Sequence, residues 1–290
     1  MRAFDYHAPE TIPAALDLFS QLGDEATILA GGTDLLLRMK AGELRTTGVV
    51  SLRRIADLKK LEFSPETGMR LGASVTLREL TRSPLIHRHY PCLAQTAGIM
   101  ASEQIRSRAT VGGNLCNAAP SADLAPPLLA LSARALIIGL EGERQVALEE
   151  FFIGPGETCL KPGELLRAVL LPTPRGQTTY LKLTPRAFMD PAVVGVAVSL
   201  RQTNGDFENA RIALGGVAPT PMRALQAEEE LSGSDIKIEK IETASAVAAQ
   251  ECFPIDDVRA TAWYRRRMVK VLVRRACLAL VETGSGRMRS

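Results

Sequence analysis

Aromatic residues are scarce in this sequence of 290 residues, which contains one Trp, four Tyr and eight Phe. Nucleic-acid bases stack on aromatic side chains, so the chain offers them little surface. The charge is also nearly balanced, because 35 basic residues against 32 acidic ones leave a net charge of +3. A balance this small does not attract a polyanion. We therefore expect no nucleic acid among the partners.

Long apolar runs are missing too. The most apolar stretch, residues 124–140, is interrupted by Pro126, Pro127 and Arg134, whereas a membrane-spanning helix needs about 20 predominantly apolar residues in succession. The first residues also lack the apolar core of a signal peptide. These two absences predict a cytoplasmic protein without a membrane span.

Closely spaced cysteines and abundant histidines are likewise absent. The five cysteines are odd in number and widely separated, which excludes a disulfide framework and the Cys-x-x-Cys spacing of zinc and many iron–sulfur sites. Three histidines supply little material for acid–base or nucleophilic catalysis. We expect neither a metal site nor a catalytic residue in this chain. The cysteines are Cys92, Cys116, Cys159, Cys252 and Cys277.

Composition is otherwise that of an ordinary globular protein, with 46% apolar and 23% charged residues. A chain of this length exceeds what one hydrophobic core usually serves, so two domains are expected. Pro172, Pro174 and Gly176 stand among polar residues, which is the composition of a connection between domains. We place the boundary near residue 175, which gives domains of residues 1–175 and 176–290.

Hydrophobic periodicity predicts a mixture of helices and strands in the N-terminal half. Thr11 and Gly23 are typical of the start and the end of a helix. Apolar strands are predicted at residues 26–30 and 108–111, and each leads into a pair of glycines.

The C-terminal half shows the pattern of a sheet followed by helices. Strands are predicted at residues 179–183, 193–201 and 209–215. Asn204-Gly205 is a hairpin-turn signal between the last two. A final helix is predicted over residues 256–281, with Arg265 on its solvated flank.

Two glycine pairs follow predicted strands, in Gly31-Gly32-Thr33 and in Gly112-Gly113-Asn114. Consecutive backbone N–H groups at a glycine bend can converge on an anion, because glycine tolerates positive φ and lacks the Cβ that would keep a phosphate away. A single pair of this kind is commonly a mere turn or packing contact. Two pairs could hold a diphosphate between them, with Thr33, Asp34, Asn114 and Asn117 bonding it or its sugars.

Other nucleotide-binding motifs are absent. No Gly-x-Gly-x-x-Gly follows a strand and no Gly-x-x-x-x-Gly-Lys-Ser/Thr occurs, which argues against a Rossmann domain or a P-loop. A third pair, Gly215-Gly216, precedes Val217 rather than a polar residue and is interpreted as a structural turn. Asp123 has two interpretations: it bonds sugar hydroxyls, or it caps the helix that follows it.

The order of these motifs resembles a known family. Ala30-Gly31-Gly32-Thr33-Asp34-Leu35, Thr110-Val111-Gly112-Gly113-Asn114-Leu115 and Asp123-Leu124 are similar to the paired flavin-binding motifs of one subunit of the molybdenum hydroxylases. That subunit is the FAD-binding medium subunit of the xanthine dehydrogenase and carbon monoxide dehydrogenase group. Tyr180-Leu181-Lys182 and the Arg211 to Pro219 segment resemble its C-terminal part, so the resemblance covers essentially the whole chain.

The resemblance implies an α+β fold. Its first part would be a bilobal FAD-binding domain like that of vanillyl-alcohol oxidase, called the PCMH type, with lobes of about residues 1–56 and 57–175. Its second part would be a smaller α+β domain of the carbon monoxide dehydrogenase flavoprotein C-terminal type, over residues 176–290.

The resemblance also implies which residues hold the cofactor. Main-chain groups of the first glycine motif would bind the FAD diphosphate, namely Leu29, Ala30, Gly31, Gly32, Thr33, Asp34 and Leu35. Groups of the second motif would join them, namely Thr110, Gly112, Gly113 and Asn114. Asn117 and Asp123 would bond ribityl or ribose hydroxyls, and Leu166 would touch the cofactor. Lys182 would lie near the isoalloxazine, although on residue type alone it is equally an exposed strand residue.

Two departures from the family pattern bear on the ligand. Met100 stands where some relatives carry an aromatic ring that stacks on the adenine. The inserted segment with cysteines for an extra iron–sulfur cluster, found in the related 4-hydroxybenzoyl-CoA reductases, is absent from this sequence, and its absence counts against that substrate class.

The function implied by the resemblance is electron transfer in an oxidoreductase complex. A large molybdopterin subunit would oxidise the substrate, a small subunit with [2Fe-2S] clusters would pass electrons on, and FAD in this chain would reduce NAD+, a quinone or dioxygen. The subunits would assemble as a dimer of heterotrimers. Two alternatives remain at this point: a self-contained flavin-dependent oxidoreductase of the same wider fold, and a non-catalytic nucleotide-binding scaffold subunit.

Overall fold

The structure is a computed structural model that describes residues 2–186, 189–203, 206–235 and 237–286. The first helix, α1 (Ile12–Leu22), begins after Thr11, whose Oγ1 accepts a hydrogen bond from the N–H of Ala14 at 3.3 Å. It ends at Gly23, where a φ of +55° favours glycine. Both predicted ends of this helix are confirmed.

Short parallel strands form the sheet of the first lobe, in the order β1, β3, β2. The elements are β1 (Asp5–His7), β2 (Ala26–Leu29), α2 (Leu35–Ala41) and β3 (Gly48–Ser51). Helix α1 shares a core with this sheet, in which Ile12, Leu16 and Phe19 pack with Val50. The first glycine motif therefore begins where strand β2 ends.

The second lobe is built on an antiparallel sheet. Its strands are β4 (Leu61–Ser64), β5 (Gly68–Gly72), β6 (Arg134–Gly139), β7 (Gly142–Ala147) and β10 (Leu165–Leu171). Two further strands, β8 (Phe152–Gly154) and β9 (Glu157–Thr158), pair with each other in a separate ribbon. The sheet order is β4, β5, β10, β6, β7. The helices are α3 (Leu77–Arg82), α4 (Pro84–His89), α5 (Pro91–Gly98), α6 (Glu103–Arg106), α7 (Val111–Cys116), α8 (Ala125–Ala130) and α9 (Leu148–Phe151).

The strand predicted at residues 108–111 is wrong. Only one isolated bridge, between Thr76 and Thr110, forms there, and the chain enters helix α7 at Val111. Thr110 causes the difference, because its Oγ1 accepts a hydrogen bond from the N–H of Gly113 at 3.0 Å and so caps the helix. The second glycine pair consequently lies in the first turn of a helix and not in a bend after a strand.

The C-terminal domain is an antiparallel sheet covered by helices. Its elements are β11 (Gln177–Leu183), β12 (Val194–Thr203), β13 (Asp206–Gly215), β14 (Met222–Arg223), α10 (Leu225–Leu231), β15 (Ser234–Asp235), α11 (Ile238–Glu251) and α12 (Ala262–Gly286). The sheet order is β11, β12, β13, β14, and β15 also pairs with β13. Thr203 pairs with Asp206 across the predicted hairpin turn; Asn204-Gly205 itself lies outside the described residues.

Helix α12 begins six residues later than predicted, and one of its arginines lies on the buried side. The side chain of Asp257 accepts hydrogen bonds from the N–H groups of Arg259 and Ala260 at 2.8 and 3.2 Å, which forms a turn before the helix. Arg265, predicted on the solvated flank, is only 2% exposed. It is buried because its guanidinium donates to the carbonyl of Gly216 and to Asp257, both at 2.6 Å.

No helix among the described residues has the length and apolarity needed to cross a membrane.

The two domains pack together through helix α8. Ala197 and Ala213 of the C-terminal sheet belong to the same buried cluster as the residues of α8. A Cβ on Gly215 would lie 2.9 Å from Cγ of Pro126, and the N–H of Gly216 donates to the carbonyl of Pro120 at 2.7 Å. The third glycine pair is thus a contact between the domains rather than a turn alone.

A cluster of ionic side chains joins the second lobe's sheet to the segment before it. The carboxylate of Asp57 lies 2.8 Å from Arg167, 3.0 Å from Lys60 and 3.2 Å from Arg70. Partial burial would raise the pKa of Asp57, but hydrogen bonds from Arg167 and Lys60 and the nearby positive charges outweigh it and lower the pKa to about 2. The folded state therefore keeps Asp57 ionised at a pH where the unfolded chain protonates it.

We expect Asp57→Asn to lower the free energy of unfolding by about 2 kcal/mol at neutral pH. The contribution of Asp57 is complete above pH of about 4 and disappears as the pH falls through about 2, so the variant should lose less stability than the wild type in that interval. Urea denaturation at several pH values measures this. Glu62→Gln is the control, since Glu62 is 57% exposed and lies 3.7 Å from Arg70; an equal effect of both substitutions would contradict the assignment.

Candidate functional site

A cleft of about 930 Å³ runs between the two lobes and reaches the C-terminal domain. Its volume falls at the upper end of the range of about 300–1,000 Å³ found for ligand pockets. Most of the residues predicted for cofactor binding line it, namely Ala30, Gly31, Gly32, Thr33, Asp34, Leu35, Thr110, Gly112, Gly113, Asn114, Asn117, Asp123 and Leu166. The other two predicted residues, Leu29 and Lys182, do not line the cleft.

The first glycine bend presents open hydrogen-bond donors to the cleft. Gly32 has a φ of +78°, a left-handed conformation that favours glycine. The backbone N–H groups of Gly32, Thr33 and Asp34 have no acceptor in the part of the chain that the structure describes. Leu29 supports the bend from behind, since its Cδ1 lies 2.9 Å from the position that a Cβ on Gly32 would take. These N–H groups are suited to bind an anion.

The two glycine motifs touch each other at Gly31. A Cβ built on Gly31 would lie 2.2 Å from the carbonyl oxygen of Arg108 and 2.9 Å from Cα of Ala109. Only glycine permits such a close approach of two backbones. The first lobe's bend is therefore seated directly against the segment that leads into helix α7, as the sequence-based picture of two converging motifs requires.

The second motif differs from the predicted one in its hydrogen bonding. Its N–H groups are already used: Gly112 donates to the carbonyl of Ala73 at 2.8 Å, and Gly113 and Asn114 donate to the side chain and the carbonyl of Thr110, each at 3.0 Å. The expectation of two equivalent anion-binding bends is thus corrected, because helix α7 takes up these donors. Gly112 is a packing glycine, since a Cβ there would lie 2.8 Å from Cβ of Ala73.

The second motif instead contributes a side chain that needs a partner. Asn114 lines the cleft, and its Oδ1 is buried with no hydrogen-bond partner among the described residues. A buried polar atom left without a partner costs about 1–3 kcal/mol. A ligand with a hydroxyl or N–H donor at this position would remove that cost.

Asp123 links the cleft to the C-terminal domain. Its carboxylate accepts a hydrogen bond from the hydroxyl of Tyr180 at 2.8 Å and pairs with Nζ of Lys182 at 2.9 Å. The alternative in which Asp123 caps helix α8 is wrong, because the cap position is Leu124 and no side chain caps it. The alternative in which Lys182 is an exposed strand residue is also wrong, because its side chain is 7% exposed.

Tyr180 is the residue of this group that the sequence analysis missed. Burial, together with the negative charge of Asp123, raises the pKa of Tyr180 well above its usual value, so its hydroxyl remains a donor. Gly195 makes room for it, because a Cβ there would lie 2.6 Å from the Tyr180 oxygen. The alternation of strand β11, which puts Tyr180 and Lys182 on one face, was the available signal.

One end of the cleft is apolar and held by an arginine. Met100 is buried and lines this end together with Ala101 and Ile105. Ala101 has a φ of +42°, and Nη1 of Arg106 fixes the strained bend by donating to the carbonyls of Met100 and Ala101 at 2.7 and 2.9 Å. Cys116 also lines the cleft, and burial raises the pKa of its thiol to about 12, so it stays protonated.

These features define a two-domain α+β fold with an anion-binding cleft, and comparisons with known proteins identify it further. Residues 2–174 match the model of the FAD binding domain in molybdopterin dehydrogenase, and residues 179–280 match that of the CO dehydrogenase flavoprotein C-terminal domain. The chain belongs to this family of FAD-binding oxidoreductase subunits.

Individual relatives align over nearly the whole chain. It is 31% identical to the putative xanthine dehydrogenase FAD-binding subunit of Escherichia coli K12, over 98% of both chains. It is 32% identical to the carbon monoxide dehydrogenase medium chain of Hydrogenophaga pseudoflava, over 94% of this chain and 95% of that one. A solved structure of carbon monoxide dehydrogenase from the same organism superposes with a TM-score of 0.93 at 33% identity, covering 97% of this chain and 98% of the other. The α+β fold with a PCMH-type FAD-binding domain is therefore confirmed.

The residues present in the cleft fit FAD. The open N–H groups at Gly32, Thr33 and Asp34 suit a diphosphate, and the buried Oδ1 of Asn114 needs a donor of the kind that a sugar hydroxyl supplies. The apolar end at Met100 and the buried Leu166 suit flat ring systems.

We expect Gly31→Ala to weaken FAD binding about tenfold or more, because the added methyl group would push the bend away from Arg108. Overpacking of this kind costs about 1–3 kcal/mol, and 1.4 kcal/mol is a factor of ten in affinity. The ratio of flavin absorbance to protein after dialysis measures the effect. Gly98→Ala is the matched control, since the nearest atom to a Cβ there lies 4.0 Å away. Full retention of FAD by both variants would show that the contact at Gly31 does not shape the site.

Proposed function

We propose that this chain takes electrons from iron–sulfur clusters of a partner subunit and passes them, through bound FAD, to an acceptor such as NAD+, a quinone or dioxygen. FAD supplies the redox chemistry when bound, because it exchanges electrons one or two at a time. The observation that carries the proposal is the cleft, in which an open glycine bend of one lobe is seated against the second motif of the other.

The roles of the chain's residues follow from their surroundings. The N–H groups of Gly32, Thr33 and Asp34 bind the diphosphate, and Asn114 and Asn117 bond hydroxyls of the sugar or ribityl chain. Leu29 and Gly112 act by packing, since Leu29 supports the bend and Gly112 seats helix α7 against Ala73. Leu166 lines the cleft at a register shift in strand β10.

Lys182 and Asp123 stand at the isoalloxazine end in this arrangement. Lys182 carries a positive charge that is buried against Asp123 and held there from the same strand as Tyr180. A fixed cation beside the ring stabilises negative charge that the ring gains on reduction. Lys182 thus acts on the electronics of the cofactor, and Asp123 and Tyr180 position it.

The cleft favours electron transfer over direct chemistry on an organic substrate. A self-contained oxidoreductase would need a free acid or base over the ring. Both oxygens of Asp123 are bound by Tyr180 and Lys182, Asp190 is paired with Arg186, and the thiol of Cys116 is protonated at neutral pH. These side chains are occupied, and Asp34, the remaining carboxylate of the lining, belongs to the glycine bend assigned to the diphosphate. This supports a source of electrons outside the chain.

The relatives support particular partners. Their names describe a carbon monoxide dehydrogenase medium chain and a nicotine 6-hydroxylase medium subunit. We infer a large molybdopterin subunit and a small [2Fe-2S] subunit, assembled with this chain as a dimer of heterotrimers. We also retain the boundary near residue 175, with lobes of about 1–56 and 57–175, as the organisation that places FAD between the lobes.

Purification of the complex from its native host, with analysis of metals, flavin and subunits, tests the proposal. We expect FAD released on denaturation, together with molybdenum, iron and two further polypeptides. Turnover by the isolated flavin-containing chain without these metals would favour a self-contained oxidoreductase. A nucleotide such as ADP bound in place of flavin would favour a scaffold subunit, and either result would overturn the proposal.

We expect Lys182→Met to lower the midpoint potential of the bound flavin by a few tens of millivolts. Removal of the ammonium leaves the carboxylate of Asp123 uncompensated near the ring, which disfavours the reduced form, and roughly 30 mV corresponds to 1.4 kcal/mol in a two-electron couple. A spectroscopic redox titration measures this. Lys59→Met, an exposed lysine outside the cleft lining, should leave the potential unchanged. An equal potential in all three proteins would place Lys182 away from the ring.

A further inference from the structure

A second cavity, of about 450 Å³, lies in the second lobe outside the cofactor cleft. Its volume falls within the range of about 300–1,000 Å³ found for ligand pockets. It is bounded by the turn before strand β4, by the segment that leads into helix α3 and by that helix itself. None of the described residues that line it also lines the cofactor cleft. The binding of FAD therefore leaves this second cavity unused.

Three cationic side chains line the second cavity. Lys59 comes from the turn before β4, and Arg78 and Arg82 come from helix α3. The two arginines stand four residues apart on one face of the helix, where like charges repel each other. In the part of the chain that the structure describes, none of the three side chains donates a hydrogen bond to another residue. Guanidinium groups with free N–H donors fit the paired oxygens of a carboxylate or a phosphate.

The nearby carboxylates do not cancel this positive charge. Glu103, outside the lining, lies 3.4 and 3.7 Å from the guanidinium groups of the two arginines, but it lies closer to Arg106, at 3.0 Å. Three guanidinium groups thus share one carboxylate. Glu79, the one carboxylate of the described lining, caps the helix, since its Oε2 accepts from the N–H and the hydroxyl of Thr76, both at 2.7 Å. The second cavity consequently keeps an excess of positive charge.

Apolar side chains form another part of the lining. Val75 is 1% exposed and belongs to the core of the second lobe, and Leu61 is half-buried against the same core. An inorganic anion gains nothing from such a surface, whereas an organic anion removes part of its carbon skeleton from water there. The combination of cations and apolar side chains therefore favours an organic anion.

The wall that carries Val75 is held by backbone hydrogen bonds. The carbonyl of Val75 accepts from the N–H of Val111 at 2.9 Å, and the N–H of Leu77 donates to the carbonyl of Ala109 at 2.9 Å. Val75 lines the second cavity, whereas Leu77 lines the cofactor cleft, so one segment contributes to both. Because this wall is already ordered, a ligand spends little free energy on shaping it.

We propose that the second cavity binds a small organic dianion, either a phosphate monoester or a dicarboxylate. Arg78 and Arg82 bind the oxygens of the charged groups, and Lys59 adds positive charge. The carbon skeleton of the ligand packs against Leu61 and Val75. This site goes beyond the proposed electron transfer, because its residues are separate from those that line the cleft.

Isothermal titration calorimetry of the full chain with phenyl phosphate, succinate and inorganic phosphate tests the site. We expect saturable binding of phenyl phosphate or succinate that is tighter than the binding of inorganic phosphate, and the preferred probe distinguishes a phosphate monoester from a dicarboxylate. Arg82→Gln should weaken this binding about tenfold or more, because a charge-assisted hydrogen bond is lost. Arg88→Gln is the matched control and should bind like the wild type, since Arg88 is exposed and outside the lining.

A second arm tests the apolar part of the site. Leu61→Ala should weaken the binding of the organic dianion several-fold and leave the affinity for inorganic phosphate unchanged, which also shows that the variant is folded. Equal affinities of the wild type and Arg82→Gln would overturn the site. So would equal affinities for organic and inorganic anions, or no saturable binding of any probe at millimolar concentration. Failure of the proposed function is distinguishable, because flavin would then be missing while the effect of Arg82→Gln on anion binding remained.

Discussion

The close approach of Gly31 to the carbonyl of Arg108 is the constraint on which the site depends. It is a contact between backbones, with no room for a single additional carbon atom, and it joins the first lobe to the second at the place where both motifs meet the cleft. Neither lobe forms a binding site by itself, since the first supplies free donors and the second supplies the opposite wall. The binding site therefore depends first on the packing of the two lobes at Gly31 and not on a charged side chain.

The two glycine motifs perform different tasks although their sequences look alike. In the first, glycine permits a left-handed turn that leaves N–H groups without internal acceptors. In the second, glycine permits a helix to pack tightly on Ala73, and the same N–H groups are consumed inside the protein. Polarity on that side of the cleft comes from Asn114 and from the ion pair of Asp123 with Lys182. The cleft thus offers backbone N–H groups to an anionic group of a ligand on one side and polar side chains to its hydroxyls on the other.

Local signals predicted much of the fold and of the site. Thr11 and Gly23 define a helix through their immediate neighbours, and nearly every residue of the two quoted motifs lines the cleft. Residues whose roles depend on distant partners were not predictable in the same way. The hydroxyl of Thr110 caps a helix where a strand was predicted. Arg265 is buried because its guanidinium donates to the carbonyl of Gly216, and Tyr180 belongs to the site because its hydroxyl donates to Asp123. The partners of Arg265 and Tyr180 are far away in sequence. The partner of Thr110 is near, but the same residues also fit the pattern of a strand.

The pairing of Asp123 with residues from the other domain bears on how the protein matures during synthesis. Asp123 and the apolar face of helix α8 leave the ribosome well before Tyr180, Lys182 and the strands that cover that face. Until those strands arrive, one wall of the cleft is missing and a carboxylate lacks both of its partners. The complete cleft consequently forms late in synthesis, and until then the nascent N-terminal half presents an uncovered apolar face on helix α8.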